Sequence, residues 1–77
     1  MASPAIGTSL IIRVETQNSP NAFAKLADAI GEAGGAVSAV DTHTVGRTST
    51  VRDVTINVAS DTVGEAVQAA IGAHEGS

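Results

Sequence analysis

The chain predicts an α+β fold, and three observations carry the prediction. Apolar residues alternate with polar ones in two segments, recur at helical spacing in two others, and turn-forming residues separate these segments. The length of 77 residues allows one domain. A domain of that size buries only about 60% of the surface its unfolded chain exposes.

Each element follows from its own pattern. In TSLIIRVET, residues 8–16, Leu10, Ile12 and Val14 alternate with Ile11, Arg13 and Glu15, which predicts a first strand with one buried face. Ser19-Pro20 then offers a capping hydroxyl followed by proline at the first helical position, where its missing N–H costs nothing. Phe23, Leu26, Ile30 and Ala33 recur at spacings of three and four, and Gly34-Gly35 accepts the left-handed backbone that ends a helix. The first helix is therefore expected over residues 20–33.

AVSAVDTHTV, residues 36–45, is rich in Val and Thr without a helical stripe and reads as a second strand. GRTST supplies the turn, with Gly46 as the turn residue. VRDVTINVA, residues 51–59, alternates again, with Val54, Ile56 and Val58 on one face and Asp53, Thr55 and Asn57 on the other. Thr62 and Glu65 have capping-box spacing, and Val63, Val67 and Ile71, with Ala66 and Ala70 beside them, form the stripe of a second helix ending near Gly72 or Ala73. Residues 1–7 read as a flexible arm, residues 8–73 as the domain and residues 74–77 as a polar tail.

Strand, helix, strand, strand, helix is the order of a split βαβ, ferredoxin-like sandwich: an antiparallel sheet with two helices on one face. A closing fourth strand, which would pair beside the first in the order 4-1-3-2, is missing from this pattern. The first strand is then expected as an open aliphatic edge, which invites another chain to pair with it.

Composition excludes several function classes. With no cysteine there is no disulfide framework, thiol nucleophile or soft-metal site, which fits a reducing, cytoplasmic setting. The net charge of −4, with only Arg13, Lys25, Arg47 and Arg52 as basic residues spread along the chain, disfavours nucleic acid, whose affinity comes from several phosphate contacts. The longest apolar run, Leu10-Ile11-Ile12, falls far short of the roughly 20 residues needed to span a bilayer. The residues MASPAIG lack the basic and apolar regions of a signal peptide.

The fold alone hosts many functions, so the site decides. A metal chaperone of this shape needs paired cysteines in the first loop, and an acylphosphatase needs an arginine there; residues 16–22 hold neither. An RNA-binding version needs aromatic residues on the open sheet face, where Ile11, Arg13, Glu15, Asp53, Thr55 and Asn57 are expected instead. Asp41, His43 and Asp53 fall on neighbouring strands, but two or three such groups without a fourth read as a solvated face rather than a metal site. Nothing orders Ser, Asp and His into a triad. No catalytic residue, metal ligand or cofactor is assigned.

What remains is the polar loop at a helix start. Amides in the first turn of a helix lack intrahelical partners and sit at the positive end of its dipole, so a carboxylate is favoured there, and Asn18, Ser19 and Asn21 add neutral hydrogen-bonding groups.

The stretch LIIRVETQNSPNAFAKLADAIGEAGGAVSAVDTHTVGRTSTVRDVTINVAS resembles an ACT domain over about residues 9–71. The landmarks are the loop Asn18-Ser19-Pro20-Asn21-Ala22-Phe23, set against the family's Asp/Asn-x-Pro-Gly-x-Leu, the helix end AIGEAGGAV, and the strand TVRDVTINV. Within that family the likeness is to the N-terminal ACT domain of bacterial NAD-dependent malic enzymes. The resemblance implies a non-catalytic regulatory domain that binds an amino acid or small carboxylate effector, with contacts from Asn18, Ser19, Asn21, Ala22 and Phe23. It also implies homodimerisation through a sheet edge or helices, and an attached metabolic enzyme under its control. Asn21 stands where the family has glycine, so its Cβ narrows the approach to a ligand and a changed ligand preference is expected. The alternative from another class is a ligand-free dimerisation or assembly module.

Overall fold

A computed structural model describes residues 7–74. Its elements run β1 (Thr8–Gln17), α1 (Ala22–Glu32), β2 (Ala36–Val45), β3 (Ser49–Val58) and α2 (Asp61–His74). The three strands form one antiparallel sheet in the order β1-β3-β2, and both helices pack on one of its faces. The α+β expectation holds at this level, with β1 at one edge and β2 at the other.

The alternation read from the sequence places the core. Val14 from β1 and Val54, Ile56 and Val58 from β3 meet Leu26 and Ile30 from α1 and Val67 and Ile71 from α2 in one buried cluster. Leu10, Ile12, Phe23, Ala33 and Val63 pack around it, half-buried. Because side chains alternate across a strand, the other face carries Arg13 opposite Asp53 and Ile11 opposite Thr55, as expected.

Several boundaries differ from the sequence expectation, each for a local reason. Helix α1 starts at Ala22 rather than Pro20, and Asn21 rather than Ser19 is its N-cap. The Ser19 carbonyl accepts a 3.2 Å bond from the Ala22 amide, so a turn fills the first two expected helical positions. Helix α2 starts at Asp61, and its cap is Ser60, whose hydroxyl accepts from the Val63 amide at 3.3 Å. The expected capping box is displaced, since Thr62 lies inside the helix and its hydroxyl is not the one that caps. Strand β3 begins at Ser49, two residues before the expected start, because the β2–β3 turn closes within three residues. His74, assigned to the tail, is the last residue of α2, while the rest of the expected arm and tail, residues 1–6 and 75–77, lies outside the described residues.

The glycines after α1 divide two tasks. Gly34 takes φ +104°, and the bonds from its amide to the Gly31 carbonyl (3.0 Å) and from the Gly35 amide to the Ile30 carbonyl (2.9 Å) make a Schellman closure. Gly35 is needed for space: a Cβ there would lie 2.8 Å from Ile56, 2.9 Å from Val67 and 3.0 Å from Ile30 side-chain carbons.

Candidate functional site

The loop between β1 and α1, residues 18–21, is held from one side and open on the other. Asn18 has a structural position. Its side-chain amide donates to the carbonyls of Gly46 (3.0 Å) and Arg47 (3.1 Å), and its Oδ1 accepts from the Thr50 hydroxyl at 2.6 Å. Its backbone amide donates to the Thr48 carbonyl at 2.9 Å. Both side-chain hydrogens are thus committed to the β2–β3 turn, and the group expected to meet an effector ties the loop to the sheet.

Ser19, Pro20 and Asn21 are exposed beside it, and Ala22 and Phe23 are half-buried. Asn21 has φ −99° and ψ −4°, a right-handed conformation open to any residue, so asparagine here costs the loop no strain. Its side chain makes no capping bond, and the first turn of α1 holds no acidic residue. The positive end of this helix is therefore neither capped by a side chain nor neutralised by one.

Arg52 lies next to that turn and was not among the expected site residues. Its guanidinium sits 5.1 Å from the centroid of the Phe23 ring, and Nη1 donates to the Thr16 hydroxyl at 3.0 Å. The sequence signal for it was the strand period: Arg52 shares parity with Val54, Ile56 and Val58 and so projects to the helix-covered face at the β3 end nearest the loop. A half-buried cation stacked on an aromatic ring favours an anion nearby more than a fully solvated one does.

The open sheet face is polar and internally paired. Arg13 and Asp53, directly opposite each other, form a fork of two bonds, Nε to Oδ1 at 2.9 Å and Nη2 to Oδ2 at 3.3 Å. That hydrogen-bonded guanidinium lowers the Asp53 pKa, with His43 adding a smaller pull in the same direction. Ser9 donates to Asn57 at 2.7 Å, and the Ser49 hydroxyl donates to Glu15. Asp41 faces Asp53 across β2 and β3, and His43 falls at a register shift between Thr42 and Thr44. Among the described residues no three acidic or histidine groups converge as a metal site. No described helix is long and apolar enough to cross a membrane.

Compared with protein-family models, with curated proteins and with solved structures, the chain matches none.

Proposed function

We propose that this chain is a non-catalytic regulatory domain of the ACT kind, which binds an amino acid or small carboxylate at the start of α1 and controls an attached metabolic enzyme of the malic enzyme type. The observation that carries the reading is the first turn of α1, which has neither a side-chain cap nor an acidic residue. Arg52 beside Phe23 adds a positive charge on the same side. In this reading a ligand carboxylate approaches the amides of the first turn, Asn21 and Ser19 contact the rest of the ligand, and Phe23 anchors the turn to the core. Asn18 shapes the loop from behind. The strand order β1-β3-β2 supports the finer description of the fold as a ferredoxin-like sandwich, in which a fourth strand would lie beside β1.

The test is an amide NMR titration of the isotope-labelled chain with the twenty amino acids and a few dicarboxylates, repeated on Asn21→Asp. The expected result is localised shifts at residues 19–24 and Arg52 with one ligand class, lost in Asn21→Asp because a fixed carboxylate then occupies the positive helix end. A dispersed spectrum in which no ligand moves those signals would remove the basis of the effector reading.

The second reading, a ligand-free assembly module, is favoured by a different observation. Strand β1 pairs on one side only among the described residues, leaving its outer hydrogen-bonding edge open.

A further inference from the structure

We propose that the loop between β1 and α1 and the turn between β2 and β3 open and close as one unit, with Asn18 as the joint, so that the state of the turn sets the affinity of the loop for its effector. The proposal rests on the effector reading for what the loop binds, and adds how that site is regulated.

The joint is concentrated in one residue. The carbonyls of Gly46, Arg47 and Thr48, successive in the turn, all accept from Asn18: the first two from its side-chain amide at 3.0 and 3.1 Å, the third from its backbone amide at 2.9 Å. The Thr50 hydroxyl donates to Oδ1 of the same side chain at 2.6 Å and so keeps its amide aimed at the turn. Among the described residues, every hydrogen bond from residues 18–21 to the sheet or its turn is made by Asn18. The Ser19 and Asn21 carbonyls accept instead from the Ala22 amide (3.2 Å) and the Lys25 amide (3.0 Å), which ties the rest of the loop to α1.

The turn has little else to hold it. One further bond closes it, from the Gly46 amide to the Ser49 carbonyl at 2.8 Å. Gly46, Arg47 and Thr48 are exposed, and Val45 before them is 72% exposed. Segments with few buried contacts and solvent-exposed backbone bonds open most readily. Withdrawal of Asn18 releases all three turn carbonyls together, and a turn that opens takes the same three partners from Asn18. The two segments therefore share one opening equilibrium. Its boundary lies where the unbroken β1–β3 register ends, at Gln17 opposite Ser49, next to the buried Thr50.

Regulation of the site follows by linkage. An effector that binds the closed loop stabilises the closed turn, and any contact that holds the turn closed raises the affinity of the loop by the same factor. Asn18 is thus a positioning residue, acting on the effector through the loop it holds.

The test needs no effector, so its failure is distinguishable from failure of the effector reading, which the ligand titration decides. Amide hydrogen exchange is followed by NMR in wild type, in Pro20→Gly, in Gly46→Ala, and in each of these combined with Asn18→Ala, with a dispersed spectrum confirming the fold of each. Pro20→Gly leaves every bond of Asn18 in place and loosens the exposed loop. It is expected to speed exchange of the Ala22 amide at the loop and of the Gly46 amide in the turn alike, each on the order of fivefold. Gly46→Ala sets a Cβ 2.8 Å from the Ser49 carbonyl oxygen, which loosens the turn, and it is expected to speed exchange of the Ala22 amide. In the Asn18→Ala background each substitution is expected to act on its own segment alone. A Gly46 amide that keeps its rate in Pro20→Gly, or an Ala22 amide that keeps its rate in Gly46→Ala, would overturn the shared opening. Cross-effects of undiminished size in the Asn18→Ala background would overturn Asn18 as the joint.

Discussion

Asn18 and Thr50, 32 residues apart in sequence, share a 2.6 Å hydrogen bond in which the hydroxyl of Thr50, a residue only 5% exposed, donates to the side-chain carbonyl of a loop residue. With the two bonds from the Asn18 amide to Gly46 and Arg47, it fastens the end of β1 to the turn between β2 and β3. The β1–α1 loop therefore takes its shape from the sheet before any ligand arrives.

Asn18→Ala removes three hydrogen bonds and leaves the buried Thr50 hydroxyl without its acceptor. An unsatisfied buried polar group costs about 1–3 kcal/mol, and in a domain of this size each kcal/mol lowers Tm by about 4–8 °C. Thermal unfolding of Asn18→Ala is expected to show a clear drop, partly restored in Asn18→Ala/Thr50→Val, where both partners are apolar. An unchanged Tm in the single variant would return Asn18 to the role of a free ligand contact.

The contrast between legible and hidden features follows from range. Alternation in β1 and β3 and the stripes of both helices were readable because a single buried face imposes the period on consecutive residues. The role of Asn18 was not readable, since its partners lie about 30 residues along and nothing local marks them. Strand β2 concealed its irregularities because Val and Thr occupy both of its faces, so a shift in register changes no pattern. At α1 the Ser19-Pro20 signal competed with a turn closed by the Ser19 carbonyl, and the turn won by two residues.

At α2 the capping-box spacing pointed to Thr62, and the structure caps the helix with Ser60 instead. Ser60→Ala is expected to destabilise the chain by about 0.5–2 kcal/mol through the lost bond to the Val63 amide. Thr62→Ala, inside the first turn and exposed, is expected to change stability by no more than about 0.5 kcal/mol. Urea midpoints of the two variants decide between the caps; a larger loss in Thr62→Ala would restore the capping box.

Three glycines near the end of α1 predict three different responses to alanine. Gly35→Ala drives a methyl into Ile56, Val67 and Ile30, an overpacking worth about 1–3 kcal/mol. Gly34→Ala meets a left-handed backbone and costs about 1–2 kcal/mol. Gly31→Ala, helical and with nothing within 4 Å of the added methyl, gains roughly 0.5–1 kcal/mol. Denaturant unfolding of the three ranks them, and a destabilised Gly31→Ala would contradict the open space on that side of α1.

The Arg13–Asp53 fork sets a dependence on acid. Its hydrogen bonds hold the Asp53 carboxyl below its ordinary range, whereas Arg13 is raised from a value already beyond ordinary titration. A carboxyl whose pKa is depressed by folding contributes stability that is present above its unfolded value, about 3.9, and is lost as pH falls through the folded value. The gap in unfolding midpoint between wild type and Asp53→Asn is therefore expected to be constant through neutral pH and to shrink below about pH 4. Both groups are accessible to solvent, so the gap is small and narrows further in high salt. A gap that stays constant to the lowest pH would assign the effect of Asp53→Asn to its shape and not to the charge of the carboxylate.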